Sequence, residues 1–99
     1  PEVVFNAVKG GLAGSTVLNA KAPMVINRNF KPGFRIKLHQ KDLRNALLAA
    51  ESMKVSLPLT SLVQQALISL MNSGAGDLDH AAIVTWIEQM AGCEVRKPS

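Results

Sequence analysis

A run of 22 residues without a charged side chain, from Val55 to Gly76, is the feature that most restricts how this chain folds. Polar residues interrupt the run throughout, so it predicts an amphipathic helix of a soluble protein and not a membrane span. Pro58 at the first helical position and Gly74 after the last are expected to bound this helix. Its apolar residues recur at helical spacing along one face: Leu59, Leu62, Val63, Ala66, Leu67, Leu70 and Met71.

Helical patterns also cover most of the remaining chain, and no alternating pattern predicts a strand of useful length. A chain of 99 residues without strand patterns is expected to form one domain. The predicted fold is therefore all-α, a compact bundle of about five helices. The first predicted helix covers residues 3–8 and ends at a left-handed Gly10-Gly11, and the second begins at about Thr16, with Ser15 as its N-cap and Pro23 kinking or ending it. The third carries an apolar stripe formed by Ile36, Leu43, Leu47 and Ala50. The fifth is capped by Asp79 and ended by Gly92, and it places Trp86 in the core.

The residues that commonly build metal sites and disulfides are scarce. Cys93 is the single cysteine, which excludes a disulfide within the chain and a cysteine-based metal site. His39 and His80 lie on different predicted helices without a suitably spaced carboxylate pair, so both are assigned surface or capping roles and no metal is expected. The lone thiol gives only a weak indication of a reducing compartment, and we predict a cytoplasmic location.

Positive charge is concentrated in the first half of the chain. Residues 1–44 hold eight Lys and Arg against two acidic residues, and the whole chain carries a formal net charge of +4. Lys37, Lys41 and Arg44 lie at i, i+4 and i+7 on the third helix, where together they can bind one phosphate or carboxylate. Phe34 precedes this helix. These residues leave three other interpretations open: a basic surface that faces solvent, a stand-alone module that binds a polyanion, and a pure oligomerisation domain.

Five segments, taken in order, resemble the C-terminal domain of the β-hydroxyacid dehydrogenases, and the resemblance extends over essentially the whole chain. They are Gly10 to Leu18 (GGLAGSTVL), Phe30 to Ile36 (FKPGFRI), Leu38 to Leu43 (LHQKDL), Leu57 to Thr60 (LPLT) and Gly76 to His80 (GDLDH). Each segment is weak alone, whereas the ordered set is specific. Arg44 stands where the family usually has Gly or Ala, and Leu48 where it usually has Asp.

The resemblance implies an all-α domain like the C-terminal domain of 6-phosphogluconate dehydrogenase, belonging to an NAD(P)-dependent reductase. The substrate is expected to be a small hydroxyacid, in the branch that interconverts tartronate semialdehyde (2-hydroxy-3-oxopropionate) and glycerate. By the same resemblance Lys41 reaches the cofactor, Phe34 helps to wall the cleft, and Lys37 and Arg44 lie beside it. A homo-oligomer, dimer or tetramer, is implied, without nucleic acid or membrane partners.

The resemblance also implies that residues 1–99 are only part of the enzyme. NADP or NAD is bound mainly by an N-terminal Rossmann domain in this family, and the catalytic Lys lies on a long inter-domain helix. Neither motif occurs in this chain, which opens at Pro1 without a starting Met. We therefore expect both to lie upstream, and the 99 residues to hold no catalytic residue and to be inactive alone.

Overall fold

The computed structural model describes residues 1–98, and they form helices joined by short loops. The all-α prediction is confirmed, since the described residues contain no strand beyond an isolated bridge between Arg35 and Asp79. The elements are α1 (Glu2–Val8), α2 (Thr16–Ile26), α3 (Ile36–Ser52), α4 (Pro58–Asn72), a 3-10 helix (His80–Ile83) and α5 (Val84–Ala91).

The core lies where α3 and α4 pack against the 3-10 helix and α5. Ile36 and Leu67 are fully buried, because each occupies the apolar stripe of its helix. Trp86 packs against this core, as its position on the apolar face of α5 predicts. The remaining core and packed residues are Leu70, Ala82, Phe30, Leu43, Ala75 and Ile83.

The helix ends follow local chemistry in most cases. The Ser15 side chain accepts a hydrogen bond from the Leu18 N–H at 2.9 Å, and Gly92 ends α5 with a left-handed φ of 71°. Pro23 does not end α2, which continues to Ile26. The left-handed stop predicted at 10–11 is wrong: α1 ends with right-handed Lys9, and the described glycines with positive φ are Gly74 and Gly92.

Two apolar surfaces remain uncovered in the described part of the chain. On α4, the Leu59 and Leu62 side chains are 77% and 54% exposed although both belong to the predicted apolar face. A second surface is an apolar groove of about 600 Å³ between α1, α2 and α5, lined by residues such as Phe5 and Ile87. Within residues 1–98, no helix is both long enough and apolar enough to span a bilayer.

Candidate functional site

The beginning of α3 is held against the segment that precedes the 3-10 helix. Residues 30–37 and 76–80 exchange backbone hydrogen bonds, and we call these two segments together the clasp. The first N–H groups of a helix have no intrahelical partners. At the start of α3, two such N–H groups donate hydrogen bonds to carbonyl oxygens of the clasp. The bonds run from Asp79 N to Phe30 O (2.9 Å), from His80 N to Phe34 O (2.7 Å), from Ile36 N to Leu78 O (2.9 Å) and from Lys37 N to Gly76 O (3.0 Å).

Asp79 is the central acceptor of the clasp, and its side chain is completely buried. One carboxylate oxygen accepts from Gly33 N and Phe34 N at 2.9 Å each, the other accepts from Ala81 N at 2.9 Å, and Lys21 Nζ lies 3.1 Å away. Burial by itself raises the pKa of Asp79, but the backbone N–H groups and Lys21 outweigh it and hold the pKa well below its usual range. The carboxylate is therefore charged and fully bonded at neutral pH.

The N-cap role predicted for Asp79 is confirmed, although the first turn it caps is a 3-10 helix and α5 follows only at Val84. The sequence did not indicate that the same carboxylate also binds the loop before α3. Gly33 and Asp79 are 46 residues apart along the chain, and no local pattern connects them.

Phe34, predicted from the resemblance to wall a cleft, contacts both histidines of the chain. The ring of Phe34 lies 5.2 Å from that of His80, edge to face, and 5.8 Å from that of His39. The two imidazoles also meet directly, with 2.9 Å between their Nδ1 atoms. The predicted surface or capping roles of the histidines are thus wrong, since both are half-buried and paired with each other. A contact across 41 residues leaves no signal in one sequence.

The environment of His80 favours its neutral form. Burial lowers the pKa of His80, and the positive charge of Lys21 lowers it further. The negative charge of Asp79 raises the pKa of His80, and the charge of His39 lowers it. His80 is therefore held as a neutral imidazole over more of the physiological pH range than an exposed histidine.

The predicted cations of α3 differ in their partners. Lys37 Nζ pairs with Asp77 at 2.7 Å, and Arg35 lies 3.6 Å from the same carboxylate. The Lys37 ammonium lowers the pKa of Asp77 through a hydrogen bond and its charge. Asp77 thereby offsets the positive charges that otherwise oppose the dipole at the start of α3. Lys41 and Arg44 are exposed, and neither forms an ion pair within residues 1–98.

Lys37, Lys41 and Arg44 share one face of α3, as their spacing predicts, because the helix is continuous from Ile36 to Ser52. The ring of Phe34 lies 5.8 Å from that of His39. It packs toward His39, which projects about 160° around the helix axis from Lys41 at 3.6 residues per turn. The structure therefore separates the predicted site into an aromatic side and a cationic side.

In this region, side chains and not the N–H groups at the helix end are available to bind a phosphate-bearing cofactor. The first N–H groups of α3 already bond the carbonyls of Leu78 and Gly76, so they are not free to bind an anion. The exposed ammonium of Lys41 and guanidinium of Arg44 are suitable donors to phosphate oxygens. In the described part of the chain, no group of three or more His, Cys, Asp or Glu side chains is placed to hold a metal ion.

Comparison with known proteins decides the family. Residues 1–87 match the family model described as "NAD-binding of NADP-dependent 3-hydroxyisobutyrate dehydrogenase". The chain belongs to the β-hydroxyacid dehydrogenase family. It is 41% identical over 91 residues to 2-hydroxy-3-oxopropionate reductase of Escherichia coli, a match that covers 92% of the chain and 31% of the relative.

Two plant proteins are also similar to this chain. A probable 3-hydroxyisobutyrate dehydrogenase-like protein of Arabidopsis thaliana is 32% identical across 93% of the chain and 28% of its own length. Glyoxylate/succinic semialdehyde reductase 1 of the same plant is 30% identical across 79% of the chain and 32% of its own length. The chain thus spans about a third of the length of these relatives.

Proposed function

We propose that residues 1–99 are the C-terminal helical domain of an NAD(P)-dependent reductase that interconverts 2-hydroxy-3-oxopropionate and glycerate. The observation that carries the substrate assignment is the 41% identity to a reductase of that name across nearly all of this chain. The N-terminal Rossmann domain and the long inter-domain helix with the catalytic Lys belong, in this proposal, to the rest of the protein. The 99 residues alone are then inactive.

In this enzyme the domain closes over the nicotinamide and the substrate with the beginning of α3. NADP or NAD, bound mainly by the Rossmann domain, supplies the hydride when it is present. Lys41 donates a charge-assisted hydrogen bond to the cofactor, and Arg44 adds positive charge from the same face. In this proposal the cleft extends across the beginning of α3, so that Phe34 excludes water on the aromatic side, while Lys37 lies beside the cleft on the cationic side with its ammonium bound to Asp77.

A polyanion-binding module is the less favoured alternative. Asp77 already pairs with Lys37 and lies near Arg35, which reduces the positive charge at the start of α3. Counterion release by nucleic acid binding requires several unpaired cations on one surface. The cationic side of α3 offers only Lys41 and Arg44 without such a partner in the described chain.

Substitution of Lys41 tests the proposal. In the complete enzyme Lys41→Ala is expected to lower kcat/KM by about 10- to 150-fold, the effect of losing a charged hydrogen bond worth about 1.5–3 kcal/mol. Lys37→Ala is expected to cost less because Asp77 already engages the ammonium. Steady-state kinetics with 2-hydroxy-3-oxopropionate measure both, with circular dichroism to confirm folding.

Lys31→Ala is the matched control, since Lys31 is an exposed lysine of the loop before α3. Its kcat/KM is expected to stay within about twofold of wild type. Equal small losses for all three lysine variants would show that Lys41 is only part of a basic surface.

We also propose that the domain forms a homo-oligomer, a dimer or tetramer. Exposed apolar side chains on α4, such as those of Leu59 and Leu62, and the apolar groove between α1, α2 and α5 are the surfaces that a second subunit can cover. Sedimentation velocity at micromolar concentrations is expected to show concentration-dependent association of the 99-residue chain. A monomer over the whole range would contradict this.

A further inference from the structure

The contact between His39 and His80 determines where the imidazole protons lie. With 2.9 Å between the Nδ1 atoms, one of them carries the proton and the other accepts it. In the described chain, His80 Nε2 is buried and has no hydrogen-bond partner. Among buried backbone groups, an N–H without an acceptor is rarer than an acceptor without a donor, and we apply the same preference to the imidazole. The favoured arrangement therefore places the proton of His80 on Nδ1, from which it donates to His39 Nδ1.

This arrangement fixes the tautomer of His39 as well. A neutral imidazole carries one proton, and the Nδ1 of His39 is occupied as an acceptor. The proton of His39 consequently lies on Nε2, the nitrogen on the far side of the ring from His80. His39 is only half-buried, and its ring lies 5.8 Å from that of Phe34. The pair thus supplies an N–H donor beside the proposed wall of the cleft.

The backbone around His80 holds the donor pair in place. His80 N donates to Phe34 O at 2.7 Å, so the same residue that orients His39 is tied to Phe34. The neighbouring Asp79 fixes the N–H of Phe34 at 2.9 Å and caps the turn that carries His80. His80 and Phe34 are therefore placed by the clasp and not by flexible side chains. A rigidly placed donor loses little conformational entropy when it binds an acceptor.

We propose that His39 is a substrate-binding residue whose Nε2–H donates to an oxygen of the hydroxyacid, and that His80 is its positioning residue. The proposal rests on the function proposed above, which places Phe34 at the cleft. Hydroxyacid carboxylate, carbonyl and hydroxyl oxygens all accept hydrogen bonds, which a fixed N–H donor recognises by position. The role is separate from that of Lys41, which lies on the other side of α3.

The tautomers are measured without any activity. Long-range proton–nitrogen correlation spectra of the uniformly ¹⁵N-labelled chain, recorded near pH 8, separate Nδ1–H from Nε2–H imidazoles. The chain contains two histidines, so His39→Gln and His80→Gln assign the signals. His80 is expected as the Nδ1–H form and His39 as the Nε2–H form. The reverse assignment, or an equal mixture at His39, would overturn the positioning role of His80.

Kinetics of the complete enzyme test the binding role. His39→Leu is expected to raise KM for 2-hydroxy-3-oxopropionate by about 10-fold or more, with KM for the cofactor unchanged within about twofold. His39→Gln, whose amide N–H replaces Nε2–H, should recover most of the loss. His80→Phe keeps a ring but removes the Nδ1–H donor, and an intermediate rise in substrate KM is expected.

Asn45→Leu is the control, because Asn45 is an exposed polar residue of α3 outside the proposed site. An unchanged substrate KM in His39→Leu would overturn the binding role of His39. An enzyme that does not reduce 2-hydroxy-3-oxo acids at all would overturn the proposed function and the substrate role together. In that case the tautomer spectra still decide whether His80 positions His39.

Discussion

Two ion pairs, each between a buried carboxylate and a partly exposed cation, join the region of α2 to the C-terminal third of the chain, and they have different consequences. Lys21 pairs with Asp79, which is 0% exposed, and Arg28 pairs with Glu88, which is 7% exposed. The partners are 58 and 60 residues apart in the chain, so both pairs are tertiary contacts of similar range. The surrounding backbone distinguishes them.

Asp79 accepts three backbone N–H groups, those of Gly33, Phe34 and Ala81, and so fixes the loop that leads into α3. Glu88 accepts one, from Val95 in the segment that follows α5. Similar charge pairs thus serve different purposes, the first holding the candidate site and the second the C-terminal segment. The number of backbone donors that lose their acceptor determines the expected cost of removing each carboxylate.

The largest expected effect is that of Asp79→Ala. Removing this carboxylate leaves buried N–H groups and the Lys21 ammonium without their acceptor, so we expect a loss of about 3–5 kcal/mol in the free energy of unfolding. Glu88→Ala, the matched control, also leaves the Arg28 guanidinium without its acceptor but affects a single backbone donor, so we expect a loss of about 1–3 kcal/mol. Urea unfolding at pH 7 measures both. Equal losses would remove the distinction between the two pairs.

The loss expected for Asp79→Ala is a large share of the about 5–15 kcal/mol with which small domains unfold. Asp79→Asn gives the second comparison. The amide oxygen of Asn still accepts hydrogen bonds, whereas its charge and its second acceptor oxygen are lost. A loss intermediate between wild type and Asp79→Ala is expected in the same urea experiment.

A smaller effect is expected in the pH dependence of stability, and it comes from His80, the neighbour of Asp79. The pKa of His80 is lowered from 6.5, so the folded state binds fewer protons than the unfolded state. The contribution of His80 to stability is complete above its pKa in the unfolded state, and it is lost as the pH falls toward its pKa in the folded state. Unfolding free energy is thus expected to decrease from about pH 7.5 to 5.5, with a smaller decrease in His80→Gln.

Asp79 does not contribute to this slope. Its pKa is also lowered, but the stability linked to it is complete above its unfolded value of 3.8 and is lost only at lower pH. Urea unfolding at half-unit pH steps therefore separates the two groups. An identical slope in wild type and His80→Gln would show that His80 does not titrate differently in the two states.

Gly33→Ala is expected to have the smallest effect. A Cβ at Gly33 would lie 3.5 Å from Asp79 Oδ1, which is an ordinary van der Waals contact. The loop before α3 therefore depends on the Asp79 carboxylate as acceptor and does not require glycine at position 33. The free energy of unfolding should change by less than about 0.5 kcal/mol. A thermal melt measures this. A loss as large as that of Asp79→Asn would show that the loop needs glycine.

Gly14 provides the opposite control for the same substitution. A Cβ there would lie 2.4 Å from the Lys9 carbonyl oxygen, a distance that real Cβ atoms essentially never show. Gly14→Ala is accordingly expected to destabilise the chain more than Gly33→Ala, because the backbone of the α1–α2 loop must move.

The sequence alone determined the helices and most of their ends. Helical spacing of apolar residues identified α4 and the stripe of α3, because periodicity depends only on neighbours one or two turns apart. Ser15, Asp79 and Gly92 mark helix ends for the same local reason. The common face of Lys37, Lys41 and Arg44 also follows from spacing within one helix.

Only the tertiary structure decided how the candidate site is assembled. The bonds from the 30–37 segment to Asp79, and the pairing of His39 with His80, join residues more than 40 positions apart. The sequence around Asp79 indicates a helix cap, but it does not show whether the same carboxylate also binds a loop far away in the chain. Burial, which lowers the pKa of His80 and removes solvent from Asp79, arises only when α3, the 3-10 helix and the loops pack together.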